Sequence, residues 1–307
     1  MTDHRFLTLD VFTSVRFGGN QLAVFPDARD IPEDSLLPIT REFNFSETTF
    51  CYPPDNPAHT RRVRIFTPTG EIPFAGHPTV GTAIALSDLT HDAGPGVAGA
   101  ESRLVLEEGV GPVPVTVRVE RTGVAFAQFA VAKLPEIGPS APSRGVLAEI
   151  LGLDAEDILG SPLSPQAISC GLPFLLVPLR SVGAVSRARV RLDKWEATLR
   201  SSWAPEVFVF AKDPEGGESH YRARMFAPRL NITEDPATGS ANACFAGFLA
   251  ARAHVQDGTL RWTVDQGIEM GRASRIEIEA DMAAGAITAI RVGGRAVVVS
   301  EGTLRRP

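Results

Sequence analysis

Apolar residues recur along the chain in short alternating or continuous runs, at 7–12, 113–119, 124–131, 172–179, 207–210 and 295–299. Period-two alternation, or a brief apolar run bounded by turn residues, is the pattern of a strand buried on one or both faces. Helical spacing is rarer. It predicts helices at 33–43, 79–89, 144–151 closed by Gly152, 192–200 opened by Asp193, and 239–253. Pro38 inside the first is expected to kink or shorten it. The helices at 79–89 and 239–253 carry apolar or small residues on nearly every face, so both are expected to be buried. A strand-rich domain holding one such helix suggests a sheet curled around it, once in each half of the chain.

Each buried helix closes one of two related segments, RIFTPTGEIPFAGHPTVGTA from Arg64 and RMFAPRLNITEDPATGSANA from Arg224. Arg64, Phe66 and Pro68 recur as Arg224, Phe226 and Pro228, a spacing of 160 residues (224 − 64), which points to a duplicated domain. A chain of 307 residues also exceeds what one core usually serves. The reading is two domains, 1–131 and 145–307, joined by a Pro-, Ser- and Gly-rich linker at 132–144, with the last strand free to return to the first domain. A second, looser surface loop is expected at 92–102. A duplicated fold usually sets its site where the halves meet. One half then brings His77 and the other Asp235, Thr238 and Ser240 to a shared cleft, with two helix N-termini converging on the ligand.

Composition narrows the function class. A 44% apolar, 21% charged chain has material for a core and no signature of disorder. Its net charge of -6, with Lys and Arg scattered, lacks the basic footprint of a nucleic-acid binder. No apolar run approaches the roughly 18 residues of a membrane span, and the opening MTDHRF is not a secretion leader, so a cytoplasmic protein is expected. Cys51, Cys170 and Cys244 are widely spaced with no CxxC pair. They read as reduced structural thiols, with neither a disulfide framework nor a zinc site.

Three places could carry chemistry. In EDPATGSA, from Glu234, Asp235 precedes Pro236 as an N-cap precedes N1, and the amides that follow could face an anion; simple capping by Asp235 is an equally good reading. In AGHPTVG, from Ala75, His77 stands beside the same kind of turn, where a lone His is more often structural. In NFSETTF, Glu47 has the spacing from Asn44 of a capping box, but the preceding helix ends here instead of beginning one. A carboxylate flanked by Ser46, Thr48 and aromatic residues, if partly desolvated, gains a pKa suited to general acid/base work.

DVFTSVRFGGNQLAVF from Asp10, NFSETTF, FAGHPTVGTA, EDPATGSA and QGIEMGRAS from Gln266, in this order, resemble the PhzF family of phenazine-biosynthesis-like isomerases across about residues 6 to 300. The resemblance implies an α+β, diaminopimelate epimerase-like fold: two similar domains, each a β-sheet wrapped around a central α-helix, with the active site in the cleft between them, commonly as a homodimer. It implies a cofactor-independent, metal-free isomerase that moves a proton on a small carboxylate-bearing substrate of the dihydrohydroxyanthranilate type. Glu47 then becomes the catalytic acid/base, with His77 and Asp235 beside it. Asn20, Ser46, Gly76, Thr238, Gly239 and Ser240 become substrate-binding positions. Gln21 departs from the family's usual Pro after the Gly-Asn turn. Thiol racemases of this fold place one cysteine at each helix start, where this chain has His77 to Thr79 and Ala237 with Thr238, so a two-thiol racemase is disfavoured. An amino-acid epimerase without thiols and a non-catalytic ligand-binding protein on the same scaffold are the alternatives.

Overall fold

The computed structural model describes residues 3–90, 101–217 and 220–305. The chain divides into two compact units, 1–130 with 293–307, and 131–292.

The first unit contains strands β1 (His4–Val11), β2 (Asn20–Phe25), β3 (Glu47–Tyr52), β4 (Arg61–Thr67), β5 (Gly70–Ile72), β6 (Glu101–Glu108), β7 (Gly111–Val119) and β8 (Ala125–Ala130), with helices α1 (Leu36–Phe43) and α2 (Gly76–Thr90). β2 and β3 pair in parallel, β3 and β4 antiparallel, β4 and β6 in parallel, and β6 to β8 form a meander. Helix α2 is packed directly on these strands. A side chain at Gly81 would come within 2.6 Å of Leu22 and 2.7 Å of Val11, so glycine permits the close approach of helix and sheet. On the other face α1 covers a cluster containing Phe25, Phe50 and Phe66.

The second unit contains β9 (Glu136–Ile137), α3 (Arg144–Leu151), β10 (Gln166–Ser169), β11 (Pro173–Pro178), α4 (Val182–Arg187), α5 (Leu192–Thr198), β12 (Glu206–Lys212), β13 (His220–Ala227), β14 (Ile232–Asp235), α6 (Gly239–Ala250), β15 (Gly258–Gln266), β16 (Ser274–Ala283) and the first part of β17 (Ala286–Leu304). Its pairings repeat those of the first unit: β11 with β12 in parallel, β12 with β13 antiparallel, β13 with β15 in parallel, β15 with β16 antiparallel. Every residue of α6 except Ser240 is buried, and Phe245 and Phe248 meet Phe208 and Phe210 of β12. The opposite face of β12 packs Val207, Val209 and Ala211 into a core shared with α3, α4 and α5.

The duplicated Arg-x-Phe has a physical reason. Arg64 lies over the Phe66 ring at 5.1 Å and binds Glu33 and Glu71, while Arg224 lies over Phe226 at 4.9 Å and binds Glu234. The spacing between the halves is not constant, however. It is 160 for the Arg and Phe pairs but 163 from Glu71 to Glu234 (234 − 71) and from the start of α2 to the start of α6 (239 − 76), because a turn at Pro228–Leu230 lengthens the second copy.

Several boundaries differ from the sequence reading. The helix expected at 33–43 is shortened, as Pro38 implied: a 3-10 turn at Glu33–Ser35 precedes α1, and Pro38 is the third residue of α1, within the first turn, where backbone N–H groups have no intrahelical partner. α5 ends at Thr198 and is preceded by Arg191, with Asp193 inside its first turn; α6 ends at Ala250. α4 was not foreseen. The stretch expected as a linker carries β9 and belongs to the second unit, and the chain from Gly293 belongs to the first. Of the loop expected at 92–102, residues 92–100 lie outside the described residues, and Glu101 and Ser102 open β6. Among the described residues, no helix is long and apolar enough to cross a membrane.

Candidate active site

In the first unit, the N-terminal ends of β2 and β3 and the start of α2 bring Asn20, Ser46, Glu47, Gly76 and His77 together. Asn44 ends α1 in the left-handed region, so the spacing of Asn44 and Glu47 is not a capping box; Glu47 opens β3 instead. The turn before Asn20 is held by Asp10, whose carboxylate accepts the Phe17 N–H at 2.6 Å. Gly19 has φ +64, and a side chain there would strike the Val11 carbonyl at 2.3 Å, so only glycine delivers Asn20 to this position. Asp10 was not singled out from the sequence, although it begins the motif that contains Asn20.

The His77 imidazole lies between Asn20 and Glu47. Its Nδ1 is 3.2 Å from the Asn20 amide nitrogen, and its Nε2 is 3.3 Å from Glu47 Oε2. The latter approach is close but lacks the alignment of a hydrogen bond. The Ser46 hydroxyl donates to Asn20 Oδ1 at 3.5 Å. Burial holds His77 far below its ordinary range, at about 3, against a backbone hydrogen bond with Gln21 that works the other way. The ring is therefore neutral at pH 7, and its contact with Glu47 is not an ion pair. Glu47 is 9% exposed and His77 4%, so a carboxylate and a neutral imidazole stand side by side with little water.

In the second unit, Asp235 ends β14 and does not cap α6. The N-cap is Thr238, whose hydroxyl donates to the Asp235 carboxylate. The turn is cross-braced by Gln266: its Nε2 donates to the Asp235 carbonyl at 2.8 Å and to Thr238 Oγ1 at 3.1 Å, while its Oε1 accepts from the Thr238 N–H at 3.3 Å and from Asn242 Nδ2 at 3.1 Å. Gly267 follows at φ +75, where a side chain would meet the carbonyls of Arg272 and Pro236 at 2.6 Å. Gln266 and Gly267 open the QGIEMGRAS motif, which was the signal for them. This bracing fixes Thr238, Gly239 and Ser240 at the start of a long buried helix. The next N–H groups of that first turn have no intrahelical acceptor, which makes the turn suited to an anion.

The cysteines stand apart from these groups. Cys51 is inside β3, Cys244 inside α6 and Cys170 between β10 and β11. Among the described residues, no three His, Cys, Asp or Glu side chains converge as metal ligands.

A desolvated carboxylate beside a neutral imidazole, on a twice-repeated sheet-and-helix scaffold, is an arrangement chemically able to take up and return a proton. Residues 9–302 match the family described as phenazine biosynthesis-like protein, PhzC-PhzF. The chain is 40% identical over 307 residues to an uncharacterized isomerase of Mesorhizobium japonicum, covering 99% of each chain. It is 33% identical over 299 residues to the trans-2,3-dihydro-3-hydroxyanthranilate isomerase of Pseudomonas aeruginosa, covering 97% of this chain and 98% of that one. The crystal structure of a PhzF-family phenazine biosynthesis protein from Bacillus anthracis superposes with a TM-score of 0.87 at 23% identity, over 99% of this chain and 100% of that one. The chain belongs to the PhzC-PhzF family and is an isomerase.

Proposed function

We propose that the protein shifts a proton between two carbons of a small carboxylate-bearing ring, with Glu47 as the acid/base and the turn from Thr238 to Ser240 as a seat for a carboxylate. The observation that carries this reading is the pair of Glu47 and His77: a buried carboxylate whose neighbour is kept neutral, so that Glu47 is the group beside which a proton can come and go. Glu47 takes a carbon-bound proton as a carboxylate. The electron pair released is delocalised toward the substrate carboxylate, which the helix start stabilises through its N–H groups and dipole. Glu47, now protonated, returns the proton to a different carbon, and the enzyme ends as it began. Asn20 positions the neutral His77 ring beside the carboxyl, and the surrounding burial keeps water from competing for the proton. The relative from Pseudomonas aeruginosa makes trans-2,3-dihydro-3-hydroxyanthranilate the first compound to try.

The test is isomerisation and solvent-deuterium uptake with that compound, followed for wild type and Glu47→Gln. The variant preserves size and removes the titrating group, so both rates should fall by roughly 10²- to 10⁴-fold with the fold intact. Normal rates in Glu47→Gln, with loss in a variant lacking Cys51, Cys170 and Cys244, would replace this mechanism with a thiol one.

A further inference from the structure

Glu206 occupies in the second unit the place that Glu47 occupies in the first. The strand registers establish this. Phe66 on β4 faces Thr48 on β3, and its duplicate Phe226 on β13 faces Val207 on β12, so the residues one step earlier, Glu47 and Glu206, correspond. Parallel pairing agrees, with Glu47 opposite Leu22 on β2 and Glu206 opposite Phe174 on β11. The helices correspond as well. The first intrahelical bond of α2 runs from Thr79 N to Ala75 O and that of α6 from Asn242 N to Thr238 O, which matches Gly76 with Gly239 and His77 with Ser240.

Glu206 lies on the α6 side of β12. The next two residues on that face, Phe208 and Phe210, contact Phe245 and Phe248 of α6. One two-residue step back along the strand covers about 6.6 Å, the rise of four to five helical residues, and leads from Phe245 to Ser240 and Ala241. Glu206 is 6% exposed, and its Oε2 has no hydrogen-bond partner. An oxygen buried without a partner is costly unless something outside the chain completes it.

We infer that Glu206, as a protonated carboxyl, donates a hydrogen bond to the substrate carboxylate seated at the start of α6, where negative charge accumulates during proton removal. This deepens the proposed function and rests on its placement of the carboxylate at Thr238 to Ser240. Burial pushes Glu206 up to about 7, with the charge of Arg229 acting against it, so the donor form is well populated at neutral pH. The surroundings are nearly free of other charge. β11 offers Phe174, the α6-facing side of β13 offers Ala227, Met225 and, at its far end, Tyr221, and α6 carries no charged residue and one titratable group, Cys244. Glu234 of β14 is bound to Arg224, and Asp235 accepts the Thr238 hydroxyl. A neutral acid used as a donor to a developing anion needs no net proton transfer and leaves Glu47 as the only group that exchanges a proton with carbon.

The experiment compares kcat/KM against pH for wild type, Glu206→Gln and Glu206→Leu with trans-2,3-dihydro-3-hydroxyanthranilate. Wild-type activity should decline as pH rises through about 7, as the donor ionises. Glu206→Gln keeps a donor that does not titrate, so it should retain most activity at pH 6 and lose that decline. Glu206→Leu has no donor and should lose roughly 10²-fold at pH 6. A Glu206→Gln profile that superposes on wild type, or a folded Glu206→Leu variant with unchanged kcat/KM, overturns the inference. If the Leu variant does not fold, the Gln profile decides. Glu47→Gln is measured alongside: unchanged activity there defeats the underlying mechanism, whereas loss there with silent Glu206 variants defeats only the role of Glu206.

Discussion

The hydroxyls of Thr49 and Thr82 lie 2.9 Å apart, both fully buried, one on β3 and the other on α2. Thr49 is two residues beyond Glu47, on the same face of the strand, and Thr82 is five residues beyond His77, so this bond sets the register in which Glu47 meets His77. Thr82→Val keeps the shape, removes this bond and leaves the Thr49 hydroxyl its longer bond to the Ala23 carbonyl, at 3.5 Å. It should lower stability by about 0.5–1.5 kcal/mol, seen as a lower thermal midpoint, and reduce kcat more than it raises KM, because the acid/base pair loses alignment. A midpoint and kcat equal to wild type would show that helix packing alone holds the register.

Glu108 gives the first unit a pH dependence. Burial pushes its carboxyl up to about 8, although the Thr79 hydroxyl 2.8 Å away favours the ionised form. That hydroxyl also reaches the Ala75 carbonyl at 2.8 Å and has one proton for two acceptors; a protonated Glu108 settles the count by donating to it. The folded pKa is raised above the unfolded value, so the contribution is fully present below about 4.5 and is lost as pH rises through about 8. Glu108→Gln should remove this loss. The stability difference between variant and wild type, from urea unfolding, should grow in the variant's favour between pH 5 and 8 with a slope of at most about 1.4 kcal/mol per pH unit. A difference independent of pH would mean that Glu108 is ionised in the fold.

Cys51 and Cys244 should behave as core residues. Burial pushes Cys51 up to about 12 and Cys244 well above its usual value, the latter helped by a hydrogen bond with Cys170. Iodoacetamide at pH 8 should label Cys170, which is partly exposed, and reach Cys51 and Cys244 only after unfolding, as read by peptide mass. Native labelling of Cys51 or Cys244 at the denatured rate would contradict this packing.

Much of this arrangement was legible because separate physical signals agreed. Helices apolar on every face had to be buried, and α6 is, apart from Ser240, as is α2 from Gly76 to Ser87; the duplicated Arg-x-Phe marked paired strands that carry the same cation-over-ring contact in each unit. What stayed hidden depended on distances between elements. The 160-residue spacing of the Arg-x-Phe pairs does not extend to the helix starts, where the extra turn at Pro228–Leu230 makes Ser240 the structural counterpart of His77. Glu206 was hidden for a different reason: it sits in an ordinary apolar run, EVFVF, and acquires its character only through the register of β12 against β13. Asp235 looked like an N-cap because Asp-Pro is the usual signal, yet β14 continues through it and Thr238 takes the cap. α4 is six residues long, too short to leave a readable period.

The last strand has a consequence for synthesis. β17 leaves the second unit and pairs with β1, setting Leu304 opposite His4. Translation delivers residues in order, so β1 emerges well before β17, which pairs with it. Until then its edge is open to other chains, as any unpaired strand is. The second unit, drawn from one uninterrupted stretch of chain, has all its residues available earlier. The half made first is therefore the half that finishes last.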